Sequence, residues 1–547
     1  MSLPRIYAGR RRRLLHRLVL NGIGQAMTAF ALAQLLRSAL DHARSGVLSW
    51  PLVAGISASG VVILALRAIE AADSERLGQD YVMRVRLRIF ERITQQPLVV
   101  GGRRRWGVTM TRLISDLNSR RNWVSDGVAR SIVASITIVG LIIALSSFHR
   151  AAALAAVGMV ALAAGAAAAL TPMLRGYVRE ARKRRGRLAN NLGEKVFALQ
   201  TVRHFGHTDR ELHRVRLHSR RLRDALVRRM RAARLIRGFP NAALPLAIST
   251  LVVIAATSGY GAADVAVGIL LLGMMATALG DLARAWDHRL AFDEGRRRIG
   301  EILSGPQLRE ARDAVDLPVG GPLAVHFDAV RVDGRLAQVT LGAAPGEVVL
   351  VCGESGSGKT TLLALAARLL DPDEGRVRID GIRVDQLAPE SLHAGVQLVA
   401  QYVPLLRGTV AQNLGYGAEE LDPCWLEEVS RACGLYEERE VLPEGIETRV
   451  EEQGRNLPDG LRARVALARA AAGAPRLLLV DDPVFSVDPA AKRALHAVLE
   501  LLDATALVVG PEANPPMQAD RVWRLGLRPS SARTATGAEL TAVEQGA

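Results

Sequence analysis

The run Gly353-Glu354-Ser355-Gly356-Ser357-Gly358-Lys359-Thr360-Thr361 fits the pattern G-x-x-x-x-G-K-[ST]. It lies between a strand-like apolar stretch and a helix-like one, the context in which such a loop cradles phosphates. Its glycines let the backbone wrap a phosphate chain, Lys359 neutralises the β and γ phosphates, and Thr360 offers its hydroxyl to Mg2+. Farther along, "RLLLVDD" closes an apolar run on Asp481, placed like a carboxylate that holds Mg2+ through water. A third stretch, "VEEQGRNLPDGLRARVALARA" at 450–470, begins a helix whose first N–H groups would meet an anion. Pro458 has no N–H to give there, and Asp459 brings negative charge to the same spot.

These residues need elements to hold them. From about Leu323 onward, short β-rich runs alternate with helical patterns. "EVVLVCG", "VQLVAQ", "RLLLVDD" and "TALVVG" are continuous apolar strands, the pattern of a buried parallel sheet. Between them and the first half, "EILSGPQLREARDAVDLPVGGPLAVHF" supplies the breakers of a linker. The tail from Pro529 has the composition of a disordered segment.

The first half reads as membrane. Six apolar segments stand out, at 18–36, 47–66, 132–148, 151–174, 242–256 and 265–279. A bilayer core of about 30 Å takes roughly 20 helical residues, so the polar shoulders of the shorter runs must be helical as well. The first segment follows "GRRRR", and "AFALAQ" offers the small residues of a signal-peptide cleavage site; an uncleaved span is favoured over that alternative, because six spans give a balanced topology.

The net charge of +17 is unevenly placed. Short links between spans hold Arg37, Arg44, Arg150 and little other positive charge. One long link carries Arg84, Arg86, Arg88, Arg92, Arg103, Arg104 and Arg105; the other contains "REARKRRGR" and "HSRRLRDALVRRMRAARLIRG". The N-terminus and both long links are therefore cytoplasmic. The second long link runs mostly at helical spacing, as if membrane helices continue into the cytoplasm and turn near 205–211. A nucleic-acid partner is excluded, since it would need a basic face interleaved with aromatics, and aromatics are 4% of the chain. Cys352, Cys424 and Cys433 share no paired or metal-ligand spacing, which points to a reducing compartment.

The ordered motifs of the second half resemble the nucleotide-binding domain of an ATP-binding cassette (ABC) transporter. Together with six spans and two long cytoplasmic links, they resemble an exporter-type (type IV) half-transporter over about 16–527. The resemblance is carried by "GESGSGKTT", by "VAQYVPLLRGTVAQNL" with Gln401 as the Q-loop glutamine, and by "ETRVEEQGRNLPDGLRARVALARA" as the X-loop and signature region. It continues through "LLLVDDPVFSVD" as Walker B and D-loop, with Asp488 as the D-loop aspartate, and "ADRVWRL" after the switch loop. It implies a multi-domain fold: an all-α polytopic transmembrane domain at 1–304, a linker at 305–322, an α/β P-loop ATPase domain at 323–528 and a tail at 529–547. It implies ATP and Mg2+ as cofactors, with Thr360, Gln401 and Asp481 toward the metal. Two cassettes face head to tail, with ATP between one P-loop and the partner's signature.

Several positions depart from the family pattern. The signature usually reads Leu-Ser-Gly-Gly-Gln, whereas here it is Leu457, Pro458, Asp459, Gly460 and Leu461, a poor clamp for ATP. Asp482 takes the place of the catalytic glutamate and is one methylene shorter. The switch histidine falls on Pro511, and no histidine follows His496. "HFDAVRVDG" lacks the aromatic that would stack on adenine.

The expectation is a subunit of the cell membrane with its nucleotide-binding domain in the cytoplasm. It pairs with a second half-transporter, a heterodimer being favoured, and couples slow ATP turnover to substrate movement, export rather than import. Gln401 and the turn near 205–211 would transmit closure to the membrane helices. A rival reading is a catalytically inactive, ATP-sensing membrane protein that regulates or scaffolds a partner; a cytosolic P-loop enzyme is excluded by the spans. The substrate is not named by the sequence. Asn21, Gln25, Thr28, Gln34 and Asn241 are candidate cavity groups that equally serve as helix–helix contacts. Arg130 reads as belonging to a cytoplasmic helix extension rather than to the cavity.

Overall fold

The computed structural model describes residues 4, 6–46, 49–97, 117–148, 150–258, 260–308, 313–401, 403–417, 422–526 and 544–546. The chain divides into two compact units, Met1–Thr94 with Arg103–Gly305 and Gln95–Gly102 with Pro306–Ala547.

The first unit is helical: α1 (Arg10–Arg44), α2 (Trp50–Thr94), α3 (Arg130–Phe148), α4 (Arg150–Phe197), α5 (Leu199–His204), α6 (Thr208–Ser258) and α7 (Ala262–Leu303). All but the short α5 are long and apolar enough to cross a membrane, six in number among the described residues. They outlast their apolar segments: α4 has 48 residues and α6 has 51. At about 1.5 Å per residue that is more than twice a bilayer core. The surplus is the arginine-rich cytoplasmic extension that the second long link predicts. It turns at Phe205–His207, where Gly206 takes a left-handed φ of 66° at no steric cost. α6 then restarts with Asp209 and Glu211 in its first turn, where the helix dipole favours carboxylates. Arg103, Arg104 and Arg105 of the other long link lie outside the described residues.

Small side chains let the spans approach closely. Ala29, Ala33, Ala134, Ala156, Ala247 and Ala276 share one buried cluster with Leu141 and Leu271. Charges that serve the bundle are paired across helices: Arg11 with Asp80 at 3.4 Å, Arg17 with Asp73 at 3.1 Å, and Arg37 of α1 with Asp264 of α7 at 3.0 Å. Asp287 of α7 is buried between Arg229 and Arg237 of α6, at 3.4 and 2.5 Å. Removing this carboxylate strands two arginines against the helix interface. Asp287→Ala is expected to cost on the order of 3 kcal/mol, read as a lower midpoint in thermal unfolding of the purified chain.

The second unit begins with β1 (Val325–Val332), β2 (Leu336–Ala343), β3 (Val348–Gly353), α8 (Lys359–Ala366), β4 (Glu374–Ile379) and β5 (Ile382–Arg383). It continues through α9 (Pro389–Gly395), β6 (Val396–Ala400), β7 (Gly408–Thr409), α10 (Val410–Gly415), α11 (Pro423–Ala432) and β8 (Arg449–Val450). α12 (Asp459–Ala472), β9 (Leu477–Asp481), α13 (Val484–Val487), α14 (Pro489–Leu501), β10 (Thr505–Val509), β11 (Arg521–Leu525) and β12 (Glu544–Gly546) complete it.

The four apolar runs are β3, β6, β9 and β10, parallel strands in the order β11-β3-β10-β9-β6, with β12 antiparallel on the β11 edge. They are apolar throughout because both faces are covered. Val349, Val351, Leu477, Leu479 and Leu507 point into a core shared with α8 and the antiparallel sheet β2-β1-β4-β5. Leu350, Leu478, Val480, Ala506 and Val508 point the other way, onto α12 and α14. Of the tail from Pro529, only Glu544–Gly546 are described, as β12.

Candidate nucleotide site

The C-terminal ends of β3, β6 and β9 fall at one edge of the parallel sheet, where this class of sheet places its ligands. β3 runs into Gly353–Gly358. Gly353 has φ 142° and Gly358 has φ 107°; a Cβ on the first would run into the carbonyl oxygen of Leu525, and on the second into that of Arg335. Only glycine fits either place. Gly358 begins α8 without a side-chain cap, so the first N–H groups of the helix remain open toward the loop.

Ser357 is 2% exposed and its hydroxyl has no hydrogen-bond partner among the described residues, an unusual state for a buried donor. A phosphate oxygen above α8 would complete it, so the loop fits the nucleotide that its pattern implies. Lys359 Nζ donates to the carbonyls of Gly353 and Glu354 at 2.7 and 2.8 Å, spanning the cradle. Burial lowers its pKa, while nearby Asp481 opposes that shift. The Thr360 hydroxyl hydrogen-bonds the Asp481 carboxyl, whose pKa burial raises and Thr360 and Lys359 pull back. Two hard oxygen donors side by side suit Mg2+, which takes few protein ligands and completes its shell with phosphates and water.

Ala400, the last residue of β6, pairs in register with Asp481, so Gln401 stands level with Asp482 at the adjacent strand end. Asp482 is 9% exposed, and its Oδ1 accepts the backbone N–H of Val484 at 3.1 Å, closing an Asx-type turn at the start of α13. Burial raises its pKa, and Arg462 and Asp459 act on it with opposite signs. The sequence shows the shortened side chain, and an Asp ahead of a helix start is the residue type that closes such a turn.

At the signature stretch, Pro458 precedes α12 in extended conformation and contributes no side-chain cap. Asp459 is 75% exposed and pairs with Arg462 one turn on, which offsets the charge at the helix N-terminus. Gly460 lies against the carboxylate of Asp488, so closely that any Cβ would overlap it. That carboxylate in turn accepts the Ala491 N–H at 2.8 Å and caps α14. No hydrogen bond or ion pair among the described residues joins Pro458, Asp459 or Gly460 to the Gly353–Gly358 loop.

Three further groups escape sequence reading because their partners are distant along the chain. Arg469 of α12 donates to the carbonyls of Val403 and Pro404 at 3.1 and 3.0 Å, tying the signature helix to the segment after Gln401. Glu512, beside Pro511, is clasped by Arg524 at 2.9 Å, and the Cys352 thiol at the end of β3 donates to it at 3.7 Å. Asn514 donates to the Ser486 carbonyl at 3.2 Å and accepts from Lys492 at 3.3 Å, linking the switch segment to the D-loop segment.

A phosphate cradle at the edge of a parallel sheet, on a chain that also carries six membrane-spanning helices, makes this a multi-pass membrane ATPase with its ATPase domain in the cytoplasm. The family model "ABC transporter transmembrane region" matches residues 17–279, and the model "ABC transporter" matches residues 336–485. The protein belongs to the ABC transporter family, with one transmembrane region fused to one ATPase domain, and has the fold of an exporter-type half-transporter.

An ATP-dependent lipid A-core flippase of Chromobacterium violaceum is 26% identical over 516 residues, 91% of this chain and 87% of that protein. A multidrug efflux ATP-binding/permease protein of Mycobacterium bovis is 32% identical over 340 residues, 60% of this chain and 28% of that protein. The fold matches the structure of a bacterial Atm1-family ABC exporter with ATP bound, with a TM-score of 0.82, 21% identity and coverage of 94% and 93% of the two chains.

Proposed function

We propose that this chain is one half of a heterodimeric exporter that moves an amphipathic substrate outward across the cell membrane while turning over ATP slowly. The observation that carries the reading is the intact triphosphate and metal corner, in which Lys359 spans the loop and Thr360 meets Asp481. Gly353 through Thr361 hold the phosphates, and Thr360, Asp481 and Gln401 hold Mg2+, which when bound offsets phosphate charge. The flippase named among the relatives supports a lipid-like cargo.

Slow turnover follows from Asp482, a methylene shorter than glutamate and held in the turn before α13, from Pro458 and Asp459 at the surface that faces a partner's ATP, and from Pro511 at the switch position. A partner with an intact signature completes this chain's own P-loop site, which favours a heterodimer. The short Asp482 side chain, held by its bond to the Val484 N–H, also favours a second reading, an ATP-sensing subunit that closes on a partner without hydrolysis.

The test is Mg-ATP hydrolysis by the chain in nanodiscs, alone and with a co-purified partner half-transporter. Slow turnover alone is expected, with Pro458→Ser/Asp459→Gly raising it by about 10-fold, the worth of one regained charge-assisted hydrogen bond. Fast turnover of the chain alone, unchanged in the double variant, would sink the heterodimer reading.

A further inference from the structure

Within the transmembrane unit, α1, α2, α3 and α7 enclose a cavity of about 220 Å³. Its polar lining comes from Gln25, Arg67, Glu70, Arg130, Asp281 and Arg284; its apolar lining includes Ile63, Val133 and Met274. Arg130, expected in a cytoplasmic extension, is thus part of the cavity wall, on a helix that runs unbroken from Leu117 through a π-helical stretch at Trp123–Ala129 into α3. Of the other sequence candidates only Gln25 lines it. Asn21 instead donates to the Leu66 carbonyl at 2.8 Å and Thr28 to the Gly24 carbonyl at 2.8 Å, while Gln34 and Asn241 are exposed elsewhere.

The depth of the cavity follows from the topology. With the N-terminus cytoplasmic, α2 and α7 descend toward the cytoplasm and α3 ascends from it. Glu70 lies one turn past the apolar segment of α2, Asp281 just past that of α7, and Arg130 just before that of α3. The charged lining therefore lies at the level of the inner-leaflet headgroups, with the apolar lining toward the bilayer centre.

Two of these charges behave unlike the rest of the bundle. Arg67 and Glu70 are three residues apart on α2, a spacing at which opposite charges ordinarily pair. Neither forms an ion pair among the described residues, whereas Asp281 pairs with Arg284 and Arg130 with Asp126 at 3.0 Å. Glu70 is held instead by the neutral Gln25, whose Nε2 donates to Oε2 at 2.8 Å, and Gln25 is fixed in turn by Asn21 at 2.8 Å. The carboxylate is positioned but not neutralised, and a cation stands close by without closing on it.

We infer that this cavity recognises a zwitterionic head group, an ammonium seated on Glu70 and a phosphate seated on Arg67, with the attached chain against Ile63, Val133 and Met274. A short aminoalkyl phosphate spans two such charges and satisfies both, while a purely anionic head leaves Glu70 opposed to it. The volume admits a head group and its first methylenes, the remainder lying along the apolar wall. This rests on the proposed export function only in naming its cargo.

The test is native mass spectrometry of the full chain in detergent without nucleotide, titrated with short-chain phosphatidylethanolamine and phosphatidylglycerol. The zwitterionic lipid is expected to bind about 10-fold more tightly, the worth of one charge-assisted contact. Glu70→Gln keeps the bond to Gln25 and should erase the preference, Glu70→Asp should retain part of it, and Arg67→Gln should weaken both lipids. Displacement by soluble phosphoethanolamine would show the head group to be sufficient, and resistance to it would show that the lipid chain is needed; either outcome supports the site if it depends on Glu70. Equal binding of the two lipids, or a preference unchanged in Glu70→Gln with its melting temperature intact, would overturn it. Because no ATP is present, loss of head-group preference leaves the turnover measurements, and the export reading, untouched.

Discussion

Asp482→Glu is expected to raise Mg-ATP turnover by about 100-fold. An added methylene moves the carboxylate on the order of 1 Å toward an attacking water, and a misplacement of that size can cost about that factor. In the native chain Oδ1 of this carboxylate accepts the Val484 N–H at 3.1 Å. Glutamate does not close this two-residue turn, so the same variant should lose about 1 kcal/mol of stability, the worth of one hydrogen bond. Gain of rate together with loss of stability is the signature to look for, in an ATPase assay and a thermal scan of the same preparation. A variant that loses stability without gaining rate would mean that Asp482 already serves as base, or that the signature limits the rate.

The pH profile carries a related mark. Burial raises the pKa of both Asp481 and Asp482, and both must be ionised to hold metal and accept a proton. The acid limb of kcat/KM should therefore lie above the usual carboxylate range, with activity lost as pH falls through it.

Much of this was legible in the residue order. The apolar runs at β3, β6, β9 and β10 are strands because covering both faces of a parallel sheet leaves no room for polar alternation, and that constraint is written in composition. The phosphate loop is equally explicit, because Gly353 and Gly358 occupy backbone conformations closed to other residues. The six spans follow from hydrophobic length. What the sequence concealed depends on partners brought together by tertiary packing. Arg469 reaches Pro404 from 65 positions away, and Gln25 reaches Glu70 from 45. Arg130, at the edge of its apolar segment, reads from sequence as part of a cytoplasmic extension; only the packing of α3 with α1, α2 and α7 sets it in the cavity wall. The Asp459–Arg462 pair is different, a one-turn spacing open to sequence reading, and it softens the repulsion that Asp459 alone implies.

Lys359→Ala is expected to abolish measurable turnover and to weaken ATP binding by at least about 10-fold. One charge-assisted contact to phosphate contributes roughly 1.5–3 kcal/mol, and the two carbonyl contacts that shape the loop vanish with it. Burial already lowers the pKa of this lysine, so the native chain should lose kcat/KM on the alkaline side below the range of a free lysine. The decisive comparison sets Lys359→Ala beside Asp482→Asn, with ATP binding, turnover and cellular transport measured for each. Asp482→Asn keeps the acceptor for the Val484 N–H and the phosphate cradle, so it should bind ATP normally while hydrolysing none. Transport lost in both variants identifies a chain that spends ATP to move substrate. Transport lost only with Lys359→Ala identifies a subunit that needs ATP bound but not cleaved, the sensing role that the short Asp482 side chain favours. Transport kept in both would remove energy coupling from this chain altogether, and the intact loop would then serve only to hold two cassettes together.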